Sequence, residues 1–213
     1  TEGTVSITDD FAEGLEKYLK AIYPVDDVEV SIGNEFNKGS VSIGSSTDVW
    51  VTILEDLIEL KNTEVSSNSA LKDVFYYGVF NATGSPSLAG LAYINNISNF
   101  NSSTWEPNLI GMGLVDGITT ESFYQIAAHE LGHNHGRKHI SGSDETNAYC
   151  GTPDNSDSDY TYNANGDYGR IGKTGFNDRK FTLYQKELYH DIMSYCSRQW
   201  ISDYTYKGVY AFE

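Results

Sequence analysis

Four of the chain's five histidines fall within HELGHNHGRKH, residues 129 to 139. His129 and His133 are four apart, which on a helix places them about 40° apart around the axis and one turn apart along it. One metal ion can reach both. His139 would lie about 15 Å up the axis from His129 if the helix simply continued, far beyond metal–nitrogen bonds of about 2.1 Å. The helix must therefore break first, and Gly136 supplies the break, because glycine accepts the left-handed conformation that ends helices. With that turn, His139 can fold back to join the first two as a third ligand. His135 lies about 200° around the axis from His129 and faces away, so it reads as a surface or packing residue. His190, distant in sequence, is read the same way.

Glu130 lies about 60° to 100° around the same axis from the two helical histidines. That position keeps its carboxylate off the metal yet close to a water on it. A zinc ion with three neutral imidazoles keeps its positive charge and an open fourth position, lowering the pKa of bound water toward 7. Glu130 can then take that water's proton as it attacks a peptide carbonyl and deliver it to the departing amine. One catalytic Zn²⁺ is the expected cofactor.

The elements that must carry these residues follow from periodicity. Residues 9 to 23, DDFAEGLEKYLKAIY, place Phe11, Leu15, Tyr18, Leu19 and Ile22 at helical spacing, with Pro24 just beyond. VEVSIGNEF alternates from Val28 to Phe36 as a half-buried strand does. TDVWVTILEDLIELKN predicts a second helix with a stripe of Trp50, Ile53, Leu54, Leu57, Ile58 and Leu60. DVFYYGVFN (73 to 81) and GLAYI (90 to 94) are β-branched and aromatic runs and read as strands. The metal-site helix starts at Thr119 or Thr120 with Glu121 in its first turn and stops at Gly136. From 141 to 180 the chain is rich in Gly, Asp, Asn and Ser and predicts mostly loop. DNSDSDYTYNANGD suggests Ca²⁺, but its spacing fails the twelve-residue calcium-loop pattern, so calcium is not supported.

A net charge of −16 over 213 residues argues against nucleic acid or an anionic membrane surface as partner, since both select clustered Lys and Arg. It also hints at a preference for basic side chains near a scissile bond. No apolar run is long enough for membrane insertion. The chain starts at Thr1 without a signal peptide, so a mature form or a piece of a longer precursor is expected, with sequence missing upstream. Cys150 and Cys196 are neither a CxxC pair nor a zinc knuckle. Two buried free thiols or one disulfide remain open, a bridge contributing about 4 kcal/mol at most in the chain-entropy view. Three Asn-x-Ser/Thr sequons, at Asn81, Asn96 and Asn101, are expected by chance in so Asn- and Ser-rich a chain.

HELGHNHGRKH matches the extended HExxHxxGxxH motif, and DIMSYC at 191 to 196 supplies the Met-turn that accompanies it. On these residues the chain resembles a metzincin zinc metalloprotease catalytic domain. The resemblance implies an α+β, two-lobed fold as a single catalytic domain over 1–213. Its upper lobe, about 1–136, would hold a mixed twisted sheet and two long helices. Its irregular lower lobe, about 137–213, would carry the Met-turn, with Met193 forming a hydrophobic floor beneath the histidines. Tyr195 stands where the astacin and serralysin branches carry a tyrosine that can ligate zinc at rest and hydrogen-bond the oxyanion during reaction. Ile140 replaces the glutamate astacins usually carry after the third histidine, and the ending differs from both branches. It is similar instead to secreted bacterial metzincins that carry a cysteine after the third histidine and another after the Met-turn tyrosine, implying a Cys150–Cys196 disulfide. Metzincins place an antiparallel edge strand above the cleft, which implies Leu91, Ala92, Tyr93 and Ile94 for docking an extended peptide.

The expectation is a secreted, monomeric zinc endopeptidase of the EC 3.4.24 type acting on protein or peptide substrates. The alternatives are a zinc-bearing binding module without turnover, or the catalytic part of a larger adhesin or toxin held at the cell envelope by flanking domains.

Overall fold

The computed structural model describes residues 7–36, 46–81, 86–96, 108–115, 118–142, 156–162 and 169–212. They form a mixed α/β fold of four α-helices and small sheets. The chain divides into two compact units, one of Thr1–Leu15 with Val30–Asn134, the other of Glu16–Glu29 with His135–Glu213. Helix α1 (Asp9–Ile22) contributes to both. Its start is capped by Thr8, whose Oγ1 accepts the Phe11 N–H at 3.3 Å.

The first unit is built on a three-stranded sheet, ordered β1 (Tyr76–Phe80), β3 (Ile110–Leu114), β2 (Gly90–Ala92). β3 pairs parallel with β1 and antiparallel with β2, so among the described residues β2 is an edge. Strand alternation divides the residues of β3 between two faces. Ile110, Met112 and Leu114 pack against Trp50, Ile53, Leu54 and Leu57 of α2 (Thr47–Ser67), forming the core. Gly111 and Gly113 take the other face. A Cβ at Gly111 would come within 3.3 Å of the Glu130 Cβ, and one at Gly113 within 3.3 Å of Ile126 Cγ2. Both of these partners belong to α3 (Thr120–Asn134). Having no side chains here lets α3 lie close on the strand.

β3 is not evident from the sequence pattern. Its Ile-Gly-Met-Gly-Leu pattern is a genuine period-two alternation, but glycine lowers strand propensity and masks it. Conversely, Val28–Phe36 forms no strand among the described residues. The alternation is present without a paired neighbour: Ile32 is 47% exposed, and a Cβ at Gly33 would meet nothing within 4 Å.

In the second unit, the stretch expected to be mostly loop contains an antiparallel hairpin of β4 (Gly175–Asn177) and β5 (Thr182–Tyr184). Tyr184 stacks on Trp200 with ring centroids 3.8 Å apart. Two short parallel segments, β6 (His190–Asp191) and β7 (Gln199–Trp200), bracket the DIMSYC turn. Helix α4 (Asp203–Tyr210) follows, with Ser202 Oγ accepting the Thr205 N–H as its cap. α4 was not anticipated, although Ser202 followed by Asp203 is an N-terminal signal.

Candidate metal centre

α3 begins where expected, with Thr119 Oγ1 accepting the Ser122 N–H at 3.1 Å. It ends at Asn134, two residues before Gly136, whose φ of 74° is left-handed. The exposed carbonyls at a helix C-terminus need partners, and here Asn95 supplies them. Its backbone N–H donates to the His133 carbonyl at 3.1 Å, and its side-chain amide donates to the Asn134 carbonyl at 2.5 Å. Asn134 is fully buried and donates through Nδ2 to the Ile110 carbonyl at 3.1 Å, fastening α3 to β3. Sequence reasoning singled out neither asparagine.

His129 and His133 are buried, their ring centroids 4.9 Å apart and perpendicular. The backbone at His139 is held on two sides. Its carbonyl accepts the Asp157 N–H at 2.6 Å, and the next residue, Ile140, donates its N–H to the Met193 carbonyl at 3.0 Å. One ligand atom from each of His129, His133 and His139 lies within 4.8 Å of the others, the only such group among the described residues. Two nitrogen ligands of one tetrahedral zinc stand about 3.4 Å apart, so the three imidazoles lie close to the spacing a single ion requires. An all-nitrogen set of three neutral rings suits zinc and is unsuited to calcium, which takes oxygen.

Glu130 is 6% exposed, and burial pushes its carboxyl up to about 8. The carboxylate is thereby made more basic than an exposed one. Tyr195 is half exposed, and its hydroxyl stands 3.0 Å from His139 Nε2. Met193 is wholly buried. Its turn is organised by Asp191, which sequence reasoning also missed: Oδ1 accepts the Met193 N–H at 2.8 Å and Oδ2 the Ser202 N–H at 2.9 Å. Burial raises the Asp191 carboxyl.

Leu91 and Ala92 lie in edge strand β2. Tyr93 and Ile94 lie just past it, 40% and 37% exposed. His135 packs, its ring edge-on to Tyr23 at 5.3 Å and Phe212 at 5.1 Å, and His190 is buried with Nδ1 2.9 Å from the Ser197 carbonyl. Cys196 is buried; Cys150 lies outside the described residues, as does much of the Asp- and Asn-rich stretch weighed for calcium. Within that stretch, Asp157 is engaged by the Tyr204 hydroxyl at 2.8 Å and by Arg137 at 3.5 Å.

No helix among the described residues is long and apolar enough to cross a membrane. No curated protein and no solved structure matches the chain. A family model described as "Metallo-peptidase family M12B Reprolysin-like" matches residues 15–205, a span that takes in all three histidines and the Met193 turn. With the extended histidine motif inside that match, the chain belongs to the M12B reprolysin-like metallopeptidases.

Proposed function

We propose that this protein is a secreted, monomeric zinc endopeptidase that cleaves peptide bonds by water attack with Glu130 as the proton carrier. The observation that carries the reading is the three-histidine cluster with a buried carboxylate on the same helix, adjacent to its first ligand. His129, His133 and His139 would hold the metal. Zinc held there supplies a Lewis acid that acidifies water and polarises the peptide carbonyl.

The remaining steps belong to the chain. Glu130 takes the proton of the attacking water and passes it to the departing amine. The Tyr195 hydroxyl, within hydrogen-bond distance of His139, is close enough to the cluster to ligate at rest and to donate to the developing oxyanion. Met193 gives His139 a fixed support through the Ile140 N–H. The position of β2 at the sheet edge among the described residues supports docking of an extended substrate at Leu91 to Ile94 by strand addition. Pairing of Cys150 with Cys196 is part of the same reading, and the burial of Cys196 is compatible with it. Secretion follows from it, because structural disulfides persist in oxidising compartments.

Cleavage of an unfolded protein should be measured for the wild type, for Glu130→Ala and after chelation. Loss of activity in both, with zinc restoring only the chelated wild type, is the expected result. Full activity in Glu130→Ala would refute the mechanism.

A further inference from the structure

The edge strand does more than offer a free backbone. An ideal Cβ built on Gly90 would lie 2.5 Å from Glu130 Oε1, 2.7 Å from its Cγ and 2.9 Å from its Cδ. Real Cβ atoms do not approach other atoms so closely, so any side chain at 90 must push the carboxylate away. On the neighbouring strand, a Cβ at Gly111 would already be 3.3 Å from the Glu130 Cβ. Glu130 therefore rests on a patch of sheet from which two successive strands have withdrawn their side chains.

The backbone does not demand glycine at 90. Among the described glycines, positive φ occurs at Gly136, Gly169 and Gly172, and not at Gly90. Strand geometry accepts alanine there at small cost. Nor can α3 retreat to make room, since its C-terminal end is tied through Asn134 to the Ile110 carbonyl and through Asn95 to the His133 and Asn134 carbonyls. The mobile part is the Glu130 side chain, whose χ angles can turn the carboxylate into another rotamer.

We infer that Gly90 is a positioning residue for the peptidase reaction: its missing side chain is what lets the Glu130 carboxylate occupy its place beside the histidines. The inference rests on Glu130 being the base. A carboxylate displaced by about 1 Å loses on the order of 10²-fold in rate, while substrate and metal are still bound.

The test is Gly90→Ala, alone and combined with Glu130→Ala, with Gly33→Ala as a control because a Cβ there meets nothing within 4 Å. Gly90→Ala should keep one zinc per chain and an unchanged KM while kcat falls on the order of 10²-fold. Gly33→Ala should keep full activity. Thermal denaturation of the four combinations at positions 90 and 130 gives a readout independent of turnover. Gly90→Ala should lower Tm when Glu130 is present and leave it unchanged in the Glu130→Ala background, where the colliding atoms are gone. An unchanged kcat in Gly90→Ala, or the same loss of Tm in both backgrounds, would overturn the inference. Inactivity of Glu130→Ala alongside an active Gly90→Ala would do so while leaving the proposed function standing.

Discussion

The side-chain amide of Asn95 donates to the carbonyl of Asn134 from 39 residues away in sequence, at 2.5 Å. Together with the bond from the Asn95 N–H to the His133 carbonyl, it closes the end of the helix that presents His129 and His133. The same side chain bridges to Asn108, donating to its carbonyl at 2.9 Å and accepting its N–H at 2.8 Å. Asn95→Ala removes all three side-chain bonds and strands partly buried backbone groups. A loss of about 2–4 kcal/mol is expected, read as a lower urea midpoint with an unchanged m-value. Zinc affinity, measured by competition with a chromophoric chelator, should fall as the helix end at Asn134, next to His133, loses its side-chain tie, while the backbone bond from residue 95 to the His133 carbonyl remains. An unmoved midpoint would mean these carbonyls find other partners.

Tyr195 offers a separable test. Its hydroxyl reaches His139 Nε2 at 3.0 Å, and its ring lies 4.9 Å from the imidazole. Phenylalanine keeps the ring and removes only the hydroxyl. If that hydroxyl acts on the transition state, Tyr195→Phe lowers kcat more than it raises KM. Equal kcat in the two proteins would reduce Tyr195 to packing.

Asp203 governs a pH dependence far from the histidines in sequence. Partial burial pushes its carboxyl up, but hydrogen bonds from Lys173, Tyr162 and Lys207 outweigh burial and hold it well below the usual carboxylate range. Lys173 and Lys207 approach Oδ2 at 2.8 and 2.9 Å. The folded value therefore lies below the unfolded one, near 3.8. The stabilisation is fully present above the unfolded value and is lost as pH falls through the folded one. Asp203→Asn should lower Tm at pH 7, and the gap from wild type should close as pH drops below about 4. A gap constant from pH 7 to pH 2 would show that ionisation of Asp203 contributes nothing.

The legible part of this molecule was the part whose geometry is local. His129, His133 and Glu130 share one helix whose periodicity fixes their directions, and Gly136 had to end it for His139 to join. The missed parts depend on contacts distant in sequence. Nothing near Asn95 announces a helix end 39 residues on, and nothing around Gly90 announces the side chain at 130. β3 escaped because its glycines, placed to admit α3, are the residues that weaken a strand pattern. Val28–Phe36 misled for the opposite reason: alternation describes what a strand needs, while a ladder also requires a neighbour, and the described residues give this segment none.

Asp191 bears on how short a working chain can be. Every residue of the histidine motif and the Met-turn precedes residue 197, so a fragment ending there looks complete by motif. Yet one oxygen of that fully buried carboxylate is satisfied by the Ser202 N–H, at the start of α4. A fragment cut after Cys196 would leave Oδ2 of that buried carboxylate without the Ser202 donor, with the Met193 N–H still on Oδ1. A working fragment should therefore extend at least past Ser202, and one that stops at the Met-turn should bind zinc weakly, however intact its motif.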